Sequence, residues 1–292
     1  MNKLIILFLI THVTLCYAND QVQEFRDQIN KPNKLLKAFD KAKESQQGAF
    51  VTVGGDPNGC HFSNIQDALD AAKNGGETEI RIATNKIYSE NLAIDDFSVS
   101  LIGGYDDCLD AGLPFGPSSN YVEVFGLVET LPVLRILGDS ERLNIEINNM
   151  KFTGDGSSAT LGGGIRITNA NARVTIDNAR INFNSAIVGG GFAVVGGNAN
   201  VELTSTLIDF NSAQSGGGGV YCAGNEASIL IGKQSSINAN SATFDESSIG
   251  GGIYAVSGCD ISLYSSSIIR NQAKSDGGGI YASGGARVRM VG

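Results

Sequence analysis

The chain contains no tryptophan, five prolines and only two histidines in 292 residues. One of those histidines, His12, falls within the first eighteen residues. Metal or acid–base chemistry built on several imidazoles is therefore excluded. Charge is sparse too: 17% of residues are charged, the formal net charge is −9, and no basic run occurs. Duplex nucleic acid is held by lysines and arginines that neutralise phosphates, so a nucleic-acid partner is excluded. The scarcity of charge does not signal disorder, because 42% of residues are hydrophobic and charge-driven disordered chains are poor in apolar residues. After residue 18 no long apolar run follows, so no transmembrane helix is expected in the mature chain.

The first eighteen residues read as a secretory signal peptide. Lys3 supplies a short positive region, Leu4–Leu15 an apolar stretch, and Cys16-Tyr17-Ala18 a small-residue cleavage pattern. The expected location is exported: extracellular or on an outer-membrane surface, with the periplasm as an alternative. Export permits disulfides. Four cysteines remain after cleavage, Cys60, Cys108, Cys222 and Cys259, and four allow three pairings. Cys60–Cys108 and Cys222–Cys259 are the expected pairs, because each flanks a coherent stretch.

What the chain has in excess is glycine, 38 residues, and it is clustered. A Gly triplet followed by an apolar residue occurs at Gly162–Ile165, Gly189–Phe192, Gly217–Val220, Gly250–Ile253 and Gly277–Ile280. The spacings are 27, 28, 33 and 27 residues. A fixed period in this range marks a repeat architecture. Each triplet is followed by a short apolar strand, as in Val220-Tyr-Cys or Ile253-Tyr-Ala-Val. An alternating strand comes next, as in Ala172-Arg-Val-Thr-Ile176. A third segment ends in Ile-x-x-Asn, giving Asn184, Asn211, Asn240 and Asn271. Three strands and three turns per period make one coil of a solenoid. The expected fold is all-β, a right-handed single-stranded parallel β-helix. The glycines suit a corner of positive φ or close backbone approach. The asparagines suit a buried turn whose backbone groups need partners, and in register they form a ladder.

Residues 19–48 carry two short runs of helical spacing separated by Pro32, expected as a helical N-terminal segment. The β-helix is expected over 49–292. Within it, Asn64–Lys73 places Ile65, Ala68, Leu69 and Ala72 on one face, a candidate capping helix for the first coil. The chain stops at Ala286–Gly292, which aligns with the middle of a coil, so the β-helix is expected to be truncated.

The GGGI and Ile-x-x-Asn motifs resemble the repeats of bacterial polymorphic outer-membrane proteins, with Ile at 181, 208, 237 and 268 where that family carries Phe. The stretch Phe62–Ala72, with Glu79–Ile82 and Tyr88–Leu92, is similar to the N-terminal part of pectate-lyase-like β-helix proteins. These resemblances imply a bacterial envelope or secreted β-helix. Two functions follow. One is a non-catalytic surface protein for adhesion, display or binding of an extracellular glycan or host-cell partner. The other is a carbohydrate-active enzyme, a polysaccharide lyase or glycoside hydrolase. Glycosidases need paired carboxylates on one face, and Asp177, Glu202, Asp209 and Asp260 fall in different registers. No catalytic residue, cofactor or metal ligand is assigned. Arg166, Arg173 and Arg180 lie in one coil as a candidate anionic-sugar patch. The long period inserts 243–249, and insertions in solenoids map to loops on one face. Phe244, Asp245 and Glu246 are therefore a candidate binding loop.

Overall fold

The computed structural model describes residues 50–291, apart from 56–58, 77, 114–115, 139–141, 155–158 and 169–170. The leader expected at 1–18 and the helical runs expected at 19–48 both lie outside the described residues.

The chain winds as a parallel β-solenoid. Every strand pair is parallel, and each strand bonds to the equivalent strand of the coils before and after it. The first sheet has nine strands and begins with Phe50–Val53 and Glu79–Ala83. The second has seven strands, among them Leu134–Leu137, Ile165–Thr168, Phe192–Val195, Val220–Ala223, Ile253–Val256 and Ile280–Ala282. The third, also of seven, includes Arg180–Asn182, Leu207–Asp209 and Ser236–Asn238.

A fourth sheet was not expected. It contains Ser185–Val188, Ser212–Gly216, Ser241–Ala242 and Gln272–Ala273. Its strands carry one inward side chain each near their start: Ala186, Ala213 and Ala242 are buried, and Ala273 is half-buried. An alanine surrounded by Ser and Gln gives almost no apolar alternation, so three strands per coil was an undercount.

The interior follows from period-2 patterning. Val174, Val201, Ile229 and Ile261 are in register in the first sheet, and Ile181, Ile208 and Ile237 in the third. All of these are at most 3% exposed. Like side chains thus stack on like, one per coil, in a continuous apolar column.

Two helices interrupt this pattern. Helix α1, Ile65–Gly75, buries Ile65, Ala68, Leu69 and Ala72 in the same core as the first coil's strands. Its N-terminal amides lack a side-chain cap from Asn64; instead Glu90 accepts from the N–H groups of Ile65 at 3.0 Å and Gln66 at 2.9 Å. A carboxylate there also meets the positive end of the helix dipole. Helix α2, Cys108–Ala111, is one turn, with Asp107 capping the N–H of Asp110 at 2.8 Å. One turn is too short to show apolar periodicity in the sequence.

Among the described residues two disulfides are formed. Cys60 is joined to Cys108 and Cys222 to Cys259, with Cα separations of 4.9 and 6.0 Å. The first ties the turn before α1 to α2. The second links one coil to the next, since Cys222 pairs in register with Ala255, four residues before Cys259. Stable disulfides imply an oxidising, extracellular or periplasmic setting. Among the described residues no helix is long and apolar enough to cross a membrane.

Candidate functional site

The first glycine of each triplet sits at a corner with φ between +59° and +67°, a region L side chains avoid. The second lies against the neighbouring coils: a Cβ on Gly190 would stand 2.6 Å from the carbonyl of Gly218. Stacked glycines therefore let the backbones of successive coils approach closely at the rim of the second sheet.

Beside that rim, the residue two places after each triplet points outward. These are Arg166, Ala193, Tyr221, Tyr254 and Tyr281, in register along the second sheet with Ala93 and Arg135 of the two coils before them. The three tyrosines form a row, with ring centroids 5.2 Å and 5.7 Å apart and tilted or edge-on geometry. Their bases sit over the glycine rim: a Cβ on Gly189 would meet Cβ of Tyr221 at 3.0 Å. Burial, with Tyr254 alongside, pushes the Tyr221 hydroxyl above its ordinary pKa, so it stays a neutral donor. Ala193, between Tyr221 and Arg166 in this register, is fully buried.

Two arginines close the other end of the row. Arg135 pairs with Asp95 at 3.3 Å. Arg166 has no ion pair among the described residues, and its Nε is buried without a hydrogen-bond partner. Partial burial, then repulsion from Arg135, lowers its pKa. An arginine still titrates far above neutrality, so it remains a cation. The face thus offers aromatic rings, hydroxyls and one uncompensated guanidinium along a straight track. Arg166 to Tyr281 spans four coil steps, about 19 Å at 4.8 Å per step.

The residues singled out in the sequence fall elsewhere. Arg166, Arg173 and Arg180 do not form a patch: they lie on the second, first and third sheets respectively. Residues seven apart in a coil of this size lie on different faces. Arg180 is committed to the buried carboxylate of Asp209 at 2.7 Å, and Arg173 lies 3.9 Å from Glu202.

Asn184, Asn211, Asn240 and Asn271 stack at the corner between the third and fourth sheets. The Nδ2 of Asn184 donates to Oδ1 of Asn211, Asn211 to Asn240, and Asn240 to Asn271, each at 3.0 Å. The same Oδ1 atoms accept the backbone N–H of Asn184, Asn211 and Asn240. Each Nδ2 also donates to a carbonyl one coil back, of Phe152, Ile181, Ile208 and Ile237. This is satisfaction of buried backbone, not a ligand site.

The inserted loop is organised by its own side chains. Oδ1 of Asp245 accepts from the N–H of Ser247 at 3.0 Å, its hydroxyl at 2.8 Å and that of Ser248 at 3.0 Å. These bonds hold the Asp245 carboxyl below its ordinary pKa. Ser248 is buried, and its one hydroxyl proton is shared between that Oδ1 and the carbonyl of Gln214, 2.6 Å away. Phe244 is 78% exposed, and Glu246 pairs with Lys274 at 3.2 Å. Phe244, Asp245 and Glu246 therefore share a loop but converge on no common point: the aspartate is used within the loop, and the glutamate faces a lysine.

Among the described residues, no three His, Cys, Asp or Glu side chains come together as a metal site. The tyrosine–arginine row was not singled out in the sequence. Its signal was there, in the Tyr that follows GGGV or GGGI at 221, 254 and 281, and it becomes a row only once the period is known to equal one coil. No family model matches this chain, and neither a curated protein nor a solved structure does.

Proposed function

We propose that this protein is an exported, non-catalytic β-helix of the bacterial envelope that binds an extended extracellular glycan along the outer face of its second sheet. One observation carries the reading: Tyr221, Tyr254 and Tyr281 stand in a single row, with the unpaired Arg166 in register two coils before Tyr221. Aromatic faces stack on the apolar faces of sugar rings, phenolic hydroxyls and a guanidinium supply hydrogen bonds, and a straight rigid track suits a linear chain. The leader at 1–18, the two disulfides and the resemblance to polymorphic outer-membrane repeats support placement at or beyond the cell surface.

The test is binding of the purified protein to a panel of neutral and acidic polysaccharides, with Tyr254→Ala and Arg166→Gln alongside. The expected result is retention of one glycan class, weakened about tenfold by Tyr254→Ala, consistent with loss of one stacking contact of about 1–1.5 kcal/mol. Release of unsaturated products from pectin, polygalacturonate or alginate, with or without Ca²⁺, would favour a polysaccharide lyase instead. Binding that neither variant weakens would place the ligand on another face.

A further inference from the structure

The corner between the third and fourth sheets holds two side chains that the fold does not require. Phe183 and Phe210 immediately precede the ladder asparagines Asn184 and Asn211. Both have φ of +55°, and they are 58% and 49% exposed. Positive φ is a true outlier for a bulky residue, and such outliers collect where a surface has a task. In the two coils after, the equivalent residues are Ala239 and Arg270, with the same conformation at φ of +52° and +56°. The corner therefore forms without an aromatic ring.

The arrangement of the rings defines a slot. Phe183 and Phe210 are parallel to within 9°, with centroids 5.4 Å apart. Parallel rings that close cannot lie side by side in one plane, so their faces look along the solenoid axis. Beyond Phe210 along that axis comes Ala239, a methyl group, and then Arg270, which is exposed. Arg270 has no ion-pair partner among the described residues. Phe210 and Arg270 stand two coil steps apart, about 9.6 Å. A planar ring seated over Ala239 would lie about 4.8 Å from each, within stacking range of the phenyl and cation–π range of the guanidinium.

We propose that this slot is a docking site for an exposed aromatic side chain, tryptophan or tyrosine, of a partner polypeptide. The face of an indole or phenol ring is negative, which matches the unpaired cation on one wall, and its flatness matches the phenyl on the other. The site is separate from the tyrosine row, which lies on a different sheet, so it does not depend on the glycan reading.

The absence of tryptophan in the chain makes the test clean. N-acetyl-tryptophanamide is titrated into the full chain labelled with ¹³C at alanine methyls, and the Ala239 methyl is followed. The expected result is a saturable ring-current shift of Ala239, lost in Phe210→Gly and weakened about threefold in Arg270→Asn. Both substitutes tolerate positive φ, so the corner survives. The thermal midpoint of Phe183→Gly/Phe210→Gly is expected to be unchanged or raised. A midpoint lowered by many degrees would show the rings to be structural and overturn the proposal. So would a shift that persists in Phe210→Gly, or an equal Phe210-dependent shift with a neutral disaccharide in place of the indole, which would make the slot a sugar subsite.

Discussion

Truncating Asn211 to alanine should be among the most damaging single changes in this chain. Its carboxamide takes part in four hydrogen bonds. Oδ1 accepts from N and Nδ2 of Asn184, and Nδ2 donates to Ile181 O and to Oδ1 of Asn240. In Asn211→Ala the backbone N–H of Asn184 loses its side-chain acceptor in a site that is 1% exposed. The other three groups each lose one bond but keep others or a chance of rearrangement. A buried donor left unpaired costs about 1–3 kcal/mol and each of the three ordinary lost bonds about 1, so the total is about 4–6 kcal/mol. For a domain of this size that corresponds to a midpoint lowered by roughly 10–20 °C. The internal control is Asn271→Ala. Asn271 is half-buried, so water replaces much of what is removed and the loss should stay near 1–2 kcal/mol. Urea unfolding followed by circular dichroism gives both values, and hydrogen exchange at the Asn184 amide reports the orphaned group itself. Equal losses for the two variants, or an Asn184 amide still protected in Asn211→Ala, would refute the claim that the ladder satisfies buried backbone.

Three further outcomes are expected. Gly218→Ala should destabilise strongly, because its Cβ would press on backbone carbonyls of Ser241 and Gly251 that cannot swing away; thermal unfolding against Gly76→Ala, a helix-end position with open space but positive φ, separates contact from conformation. Removing either disulfide by Cys→Ala pairs should cost about 4 kcal/mol on the loop-entropy estimate for separations of 48 and 37 residues, measured by denaturant unfolding of each pair. The Asp245 carboxyl is depressed by Ser247 and Ser248, so the order it lends the loop is full above the unfolded value of about 4 and lost as pH falls through the lower folded value; the Ser247 amide resonance should hold steady from pH 5 to 8, move below about 4, and lose that pH response in Asp245→Asn.

The solenoid could be read from the sequence because its signals repeat. A Gly triplet needed for a corner, an Ile needed for a stacked core and an Asn needed for a buried turn each appear once per coil, so coincidence is excluded by recurrence. The fourth strand escaped because each coil contributes a single inward alanine to it, Ala186, Ala213, Ala242 or Ala273, and a lone alanine in a run of polar residues has no hydrophobic contrast. Its signal was the Ala two residues after each ladder asparagine. Helix α2 escaped because its stability comes from the Cys60 bridge and the Asp107 cap rather than from an apolar face. The candidate site was harder. Tyr221 and Tyr254 are 33 residues apart in the chain yet touch, and their adjacency depends on the insertion at 243–249 being absorbed in a loop so that register is restored. The grouping of Arg166, Arg173 and Arg180 failed for the converse reason: nearness in sequence within one coil means separation in space.

The asparagine ladder has a direction. Every shared bond runs from an N–H in one coil to an Oδ1 in the next, so the carboxamide dipoles align rather than alternate. Asn184 Oδ1 is accordingly left as an unmatched acceptor at the N-terminal end of the stack. Aligned amides polarise one another, so an inner member is held more firmly than an end member. Each completed coil also waits for the carbonyl oxygen of the next to receive two of its N–H groups. The row thus has two unlike ends, with its spare acceptor at Asn184.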